Sequence, residues 1–522
     1  MKHQHSPKFK YLHASLLLAF VVLVSSACSR SEEENVKATT APVEAEPVQA
    51  VQTVETGQIP TTTTSEEART LYDQGEYLVD VGRIVQARDK FKAAIASDPS
   101  FALAYYGQSN AALSFEEFQD SLDTAMKHSE GISDGERMLI EINMSFASND
   151  AAAGLVLAQK LVADYPESAR ARIVLAGMQA NQNDNVGARA SNLEALELEP
   201  GMAAALTGLA NNNLFGEPKD FAAAESWANK FIAAYPKEAK GYEILGDIKR
   251  AQNDLEAALA AYNSASELDP TMEQAAHKRG HVNSFLGNIE EARSAYDEAV
   301  ALAPPESKAS YAVYKGFTNI HGGDIPAAID ELEALSNAVE SMGTPTDQVK
   351  GFQVFALSSA SFAAMQAGMF DRAKELVTRR NALNMEIAQD VGTDDARRIL
   401  MANNQFFYGM LAAYQGDAEG AAEHAATIEG LVAADDNPRK LEGAHWVLGM
   451  SALQTQDYAT AVTELRQADY ANNIFVRYHL ALAEEGNGNT EEANKLFSEV
   501  AVFNFNSIGF ALIGKESATH VN

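Results

Sequence analysis

The chain has 522 residues, 46% of them hydrophobic and 21% charged, with 72 Asp and Glu against 40 Lys and Arg, for a formal net charge of −32. That apolar share supports extensive burial and excludes a wholly disordered chain, while the acidic balance opposes a broad electrostatic footprint on nucleic acid or anionic headgroups. A single cysteine excludes an internal disulfide and a thiolate metal cage.

That cysteine, Cys28, lies in "LVSSACSRSEEE" near the amino terminus. Lys2, Lys8 and Lys10 come first, then an apolar run at 16–24, then Ser25, Ser26 and Ala27. A positive region, a short apolar region and small residues are the layout of a bacterial secretory signal peptide over 1–27. The apolar run is too short for the ~20 residues that a spanning helix needs. Cleavage after Ala27 would remove three lysines and no acid, taking the net charge from −32 to −35. The stretch resembles the lipobox of bacterial lipoproteins, although Ser25 stands where that family favours Leu or Val. The resemblance implies a diacylglyceryl group on the Cys28 thiol and a palmitate-type N-acyl chain. Ser29 then implies the outer membrane, with the protein facing the periplasm and touching the membrane only through this lipid anchor.

Residues 28–65 carry no aromatic residue and three prolines among many Thr, Glu and Val. They read as a lipidated terminus and a solvated, disordered linker, with a reach of roughly 30–35 Å as a flexible coil.

From residue 66 the chain echoes itself. Pro166 and Pro200, Pro236 and Pro270, and Pro270 and Pro304 are each 34 residues apart. A fixed period of this size marks stacked supersecondary units. Gly75, Gly246, Gly280, Gly409 and Gly449 share one position of the unit, and Ala87, Ala188, Ala258, Ala292, Ala421, Ala461 and Ala493 another. Phe91, Tyr262, Tyr296 and Phe497 follow four residues after that alanine. Small residues let two helices approach closely, the aromatic fills the gap to the next unit, and proline is expected to start the following helix. "QND", "LGN", "QGD" and "GNGN" are expected to turn the chain between the two helices of a unit.

These positions resemble the tetratricopeptide repeat. The resemblance implies an all-α fold, a TPR-type α–α superhelical solenoid of about 11–12 helix-turn-helix units. An N-terminal solenoid at 66–340 and a C-terminal one at 350–505 are expected, separated where "SMGTPTDQVKG" breaks the rhythm. A C-terminal tail at 506–522 follows. Units near 102–168 and 307–401 are stretched.

Signs of chemistry are few. "GFALIGK" at 509–515 has the glycine and lysine spacing of a phosphate loop, but Glu516 stands where Ser or Thr should hold magnesium. His277 and His281 are four apart, yet Lys278 replaces the glutamate of a zinc-protease motif and no third ligand is evident, so an exposed pair is expected. No cofactor, metal or catalytic set is anticipated.

In the family resembled here, the first helices of successive units line an inner groove that takes a protein or peptide. In register, that face carries Glu243, Asp247, Arg250, His277, Lys278 and His281 in the central units. In the later units it carries Phe406, Phe407, Met410, Tyr414, Trp446, Met450, Phe475 and Tyr478. The second set has the aromatic and methionine content that grips an apolar helix or extended peptide. The expected function is a non-enzymatic, membrane-tethered scaffold for protein or peptide partners in the bacterial cell envelope. The alternative is a helical outer-membrane lipoprotein receptor for carbohydrate or nutrient uptake, a type usually rich in Trp and Tyr, whereas this chain has two Trp.

Overall fold

A computed structural model describes residues 57–148 and 150–521. The signal segment, Cys28 and most of the linker lie outside the described residues.

Those residues form 25 α-helices and no strand. The helices fall into twelve antiparallel pairs, beginning with Glu66–Asp80 and Ile84–Ser97 and ending with Ile474–Gly486 and Thr490–Ala501, followed by a single helix, Ile508–His520. The all-α solenoid architecture expected from the repeat is therefore present. The stretched regions resolve into ordinary or lengthened pairs: Ala102–Asn110 with Phe115–Lys127, Asp134–Ala147 with Ala151–Asp164, and the long Thr346–Gln366 with Phe370–Val391.

The turn chemistry explains the pairing. Asp184, Asp254, Asp324, Asp417 and Asp457 each cap the second helix of a pair, the carboxylate accepting an amide three residues on. Each such cap is worth about 1 kcal/mol. The residue just before takes a left-handed conformation, Asn183 at φ 61°, Asn253 at 60° and Gln456 at 61°. Asn-Asp is thus a turn residue followed by a helix cap. The prolines act differently from the expectation. Pro99, Pro166, Pro200, Pro236, Pro270 and Pro304 each stand two residues past the last residue of a second helix, in the turn between pairs. They stop a helix, because a proline there cannot continue it; only Pro305 occupies a first helical position.

The small-residue rule has a measurable cause. A Cβ at Gly75 would lie 2.5 Å from the Phe91 ring, and one at Gly107, in the next unit, 2.3 Å from it. Phe91 is fully buried between the two helices, as are Tyr262, Tyr296 and Phe497 in their own units. Gly→Ala inside a helix ordinarily stabilises by roughly 0.5–1 kcal/mol. At Gly107 the sign should reverse, to a loss of roughly 1–3 kcal/mol from overpacking, seen as a lower urea midpoint. A raised midpoint would show that Phe91 can step aside.

The described residues divide into two compact units at Ile248/Lys249. The "SMGTPTDQVKG" stretch does break the rhythm, with a 3-10 turn at Val339–Met342 before helix Thr346–Gln366. It is not a boundary of packing, because one apolar core runs from Val313 to Ile513 across it.

Both expected flanks are structured where described. Residues 506–521 are not a free tail: helix Ile508–His520 is capped by Ser507 and packs on helices Pro305–Gly322, Thr346–Gln366 and Ile474–Gly486. The phosphate-loop lookalike lies inside this helix, so its amides serve the helical ladder. At the other end, residues 57–65 precede the first helix as ordered chain. Ile59 packs on the N-terminal core, and Gln58 Nε2 donates to the Glu167 carbonyl at 2.7 Å.

Candidate functional site

In the unit that begins at Lys249, Phe406, Trp446 and Phe475, singled out from sequence, converge on Phe362, which was not. Phe362, Phe406, Trp446 and Phe475 come from four different first helices. Their ring centroids stand 5.0 Å apart for Phe406–Trp446, 6.1 Å for Phe362–Trp446 and 6.0 Å for Phe362–Phe475. Contact between Phe362 and Phe475 joins the first helices of pairs three apart, so the inner face closes on itself here. The expected open groove is therefore corrected: Phe406, Phe407, Met410, Trp446, Met450, Phe475 and Tyr478 are buried, and Tyr414 is half-buried with its hydroxyl donating to Gln366 Oε1 at 2.8 Å. Aromatics at this spacing bury more apolar surface by meeting each other than by lining a solvated channel.

A cavity of about 60 Å³ opens at one edge of the cluster. Phe362, Trp446 and Phe475 form one wall, and Phe503, Ile508 and Leu512 of the C-terminal segment form the other. The Trp446 indole N–H is buried beside it without an acceptor.

Next to this cluster is a polar one that the sequence reading placed only in part. His277 and His281 are enclosed and half-buried, not exposed as expected. Their rings lie 4.1 Å apart, and His277 also stands 4.3 Å from Tyr311 and 5.0 Å from Tyr314. His281 Nδ1 is 2.7 Å from the Tyr296 hydroxyl and 3.1 Å from Asn506 Nδ2, so this nitrogen accepts. Asn506 also donates to Tyr296 at 2.9 Å, and its Oδ1 lies 3.2 Å from His321 Nε2. Burial pushes His277 down to about 3 and His321 down to about 4, and holds His281 well below the usual imidazole range. These imidazoles are held neutral; His281 and His321 hydrogen-bond through their rings, while the His277 Nε2 is buried without a partner. Among the described residues no group of three or more His, Cys, Asp or Glu could hold a metal ion. Arg250 is buried too, its Nε 3.4 Å from the Tyr262 hydroxyl, and Lys278 is half-buried with its ammonium 5.9 Å from the Tyr262 ring. His321 and Asn506 were missed from sequence because each is a lone polar residue without local pattern.

In the unit that ends at Ile248, Glu243 and Asp247 are likewise buried, and Lys240 Nζ lies 2.7 Å from Glu243 Oε2. Here the first helices carry buried charge beside the tyrosines Tyr72 and Tyr106. Arg170 bonds both oxygens of Asp80, at 2.9 and 2.7 Å, and lies 3.6 Å from Glu76. Burial raises Glu76 against the pull of Arg170, and burial next to Glu76 pushes Tyr106 up to about 12. Arg170 and Asp80 come from the fourth and first pairs, a contact with no signature in a 34-residue period.

The ordered N-terminal segment crosses the start of two first helices of this unit. Thr62 donates its amide to Glu136 Oε1 at 2.6 Å and its hydroxyl to Oε2 at 2.7 Å. Glu136 is fully buried and also receives the Ser133 amide, closing a capping box. Glu136→Gln is expected to leave one of these donors unmet and release residues 57–65. Hydrogen exchange at Thr62 should then accelerate at least tenfold while the helices keep their protection. Unchanged exchange there would show that Ile59 alone holds the segment.

No helix among the described residues is long and apolar enough to cross a membrane.

Comparison with known proteins places the repeats. Residues 246–284 match a family model described as TPR repeat, and residues 72–128 and 273–306 match models described as tetratricopeptide repeat. No curated protein matches the chain. Among solved structures, the APC/C hetero-tetramer Cut9-Hcn1 is similar at 15% identity over 86% of this chain and 76% of that one, with a TM-score of 0.39. PilW, a widely conserved type IV pilus biogenesis factor, is similar at 17% identity over 41% of this chain and 98% of that one, with a TM-score of 0.28. A tetratricopeptide repeat protein from Parabacteroides merdae ATCC 43184 is similar at 14% identity over 56% of this chain and 100% of that one, with a TM-score of 0.33.

Proposed function

Because this chain is a tetratricopeptide repeat protein, we propose that it is a non-enzymatic scaffold, tethered to the bacterial outer membrane by lipidated Cys28, that holds protein or peptide partners on the faces of its repeats. The observation that carries the reading is repetition itself. Twelve two-helix units, none able to bury its apolar side alone, build extended faces and leave little room for a separate catalytic body. The tether reading is supported by the placement of the sole cysteine directly after a signal-like segment.

The test is crosslinking in native membranes followed by mass spectrometry, with wild type against Cys28→Ser. Wild type should fractionate with membranes, carry the mass of its acyl chains and give reproducible crosslinks to envelope proteins. Cys28→Ser should move to the soluble fraction and lose most of them. A Cys28→Ser protein that stays in the membrane removes the lipid anchor, and a wild type that crosslinks to no protein removes the scaffold.

A further inference from the structure

The inner face of the unit that begins at Lys249 already holds a helix, the chain's own Ile508–His520. Apart from its chain neighbour, it packs on Pro305–Gly322, Thr346–Gln366 and Ile474–Gly486, all first helices. One helix meets three first helices from separate pairs only across the face they share. Its buried residues are Gly509, Phe510, Ala511, Ile513 and Ser517. Phe510 stands 5.3 Å from Phe285 and 5.6 Å from Phe503. Gly509 makes a close approach, a Cβ there lying 3.0 Å from Phe475 Cβ. Two polar residues fix the register: Asn506 reaches His281, Tyr296 and His321, and Lys515 Nζ donates to the His321 carbonyl.

We propose that this face is a helix-binding site, and that the partner it takes is an amphipathic helix that displaces Ile508–His520 and repeats its pattern. That pattern is an Asn just before the N-cap, a small residue and an aromatic in the first turn, an aliphatic residue one turn later and a cation on the flank. The resident helix is an imperfect ligand. It leaves the 60 Å³ cavity against Phe362, Trp446 and Leu512, and the Trp446 N–H lacks an acceptor. A larger apolar side chain at the place of Leu512 would fill that space, so a partner gains where the resident does not. In the link to the last pair Val502 is 54% and Phe505 46% exposed, while Asn504 exchanges two hydrogen bonds with Arg250. This inference rests on the reading that the protein binds protein partners, and names the site and the partner's chemistry.

The test uses the full chain and a labelled synthetic peptide of residues 503–521 carrying Leu512→Phe. Full-length Asn506→Ala/Phe510→Ala should bind this peptide at least tenfold more tightly than wild type by fluorescence anisotropy. The same peptide with Ile513→Asp should not bind. An unlatched variant that keeps its helicity and melting curve yet binds no better than wild type overturns the proposal. Should the variant fail to fold, hydrogen exchange on wild type decides. Amides of 508–520 are expected to open at least tenfold more readily than those of Thr490–Ala501, and exchange of both only by the same global event overturns it. Membrane crosslinks retained with no peptide binding would remove this site while the scaffold stands.

Discussion

Arg380→Ala is expected to destabilise the protein by about 3–5 kcal/mol, from the acceptors it leaves unpaired and the cavity it leaves behind. Arg380 is 2% exposed, within helix Phe370–Val391. Among the described residues no carboxylate pairs with it. Its guanidinium donates to Ser358 Oγ at 3.0 Å, Asn381 Oδ1 at 2.6 Å, Asn404 Oδ1 at 3.1 Å and Asn403 Oδ1, and lies 3.8 Å from the Phe407 ring. Burial alone pushes it down to about 9, so the charge survives at neutral pH on amide oxygens and one aromatic face. Alanine would strand two buried amides, one half-buried amide and a hydroxyl, and leave a cavity beside Phe407. Arg380→Lys should recover less than half of the loss, because an ammonium cannot reach four acceptors in one plane while stacking on a ring. Urea denaturation with an unchanged slope reads both. A cost below about 1 kcal/mol for the alanine variant would mean that the asparagines can satisfy each other.

That network also shows what a sequence can and cannot disclose. The pairs were legible because a Gly facing an aromatic, an Asp cap and a proline stop recur every 34 residues, each with a local cause. Gly75 and Phe91 sit within one unit, so a period finds them. The aromatic convergence was legible in composition but not in consequence. Nothing in "NQFFYGM" or "HWVLGM" says that Phe362 and Phe475, more than a hundred residues apart, meet and shut the space between them. How far first helices approach depends on the small rotation accumulated over several pairs, which local pattern does not encode. The same holds for Arg170 with Asp80. The C-terminal helix escaped notice because thirteen residues with one buried aromatic give too short a pattern, and two of the three first helices that seat it lie some 150 to 200 residues earlier. Asn381, Asn384, Asn403 and Asn404 did leave a signal, amides on faces otherwise apolar, but only the fold reveals that they share one arginine.

Lowering the pH from 7.5 to 5.5 is expected to weaken the unit that begins at Lys249 by several kcal/mol, and to loosen its C-terminal helix first. His277, His281, His321 and His479 are all held below the usual imidazole value, chiefly by burial. Above pH ~6.5 they are neutral both folded and unfolded, and contribute nothing to the slope. Below it the unfolded chain takes up protons that the folded state refuses, until about pH 3 at His277 and about pH 4 at His321 and His479, so stability falls by about 1.4 kcal/mol per pH unit for each of these three. At pH 5.5 these three set a bound of roughly 4 kcal/mol, and His281 acts in the same direction. The surroundings add to the effect: Arg250 and Lys278 face His277 and His281, Lys515 faces His321, and Tyr296, Tyr311 and Tyr314 carry no charge at these pH values. Glu273, raised by burial, works in the opposite direction as it takes up its proton, but nearer the carboxylate range. The order of loosening follows from geometry. Protonated His281 could no longer accept from Tyr296 and Asn506 through Nδ1, and the Asn506 contacts are what anchor the start of Ile508–His520. Hydrogen exchange at 508–520 should therefore rise before that of the neighbouring helices, and the urea midpoint should drop between pH 6.5 and 5. Replacing His281 and His321 together by glutamine should flatten about half of that drop. A midpoint level from pH 7.5 to 5.5 would show that the histidines find a proton without leaving the fold, as solvent-open imidazoles do.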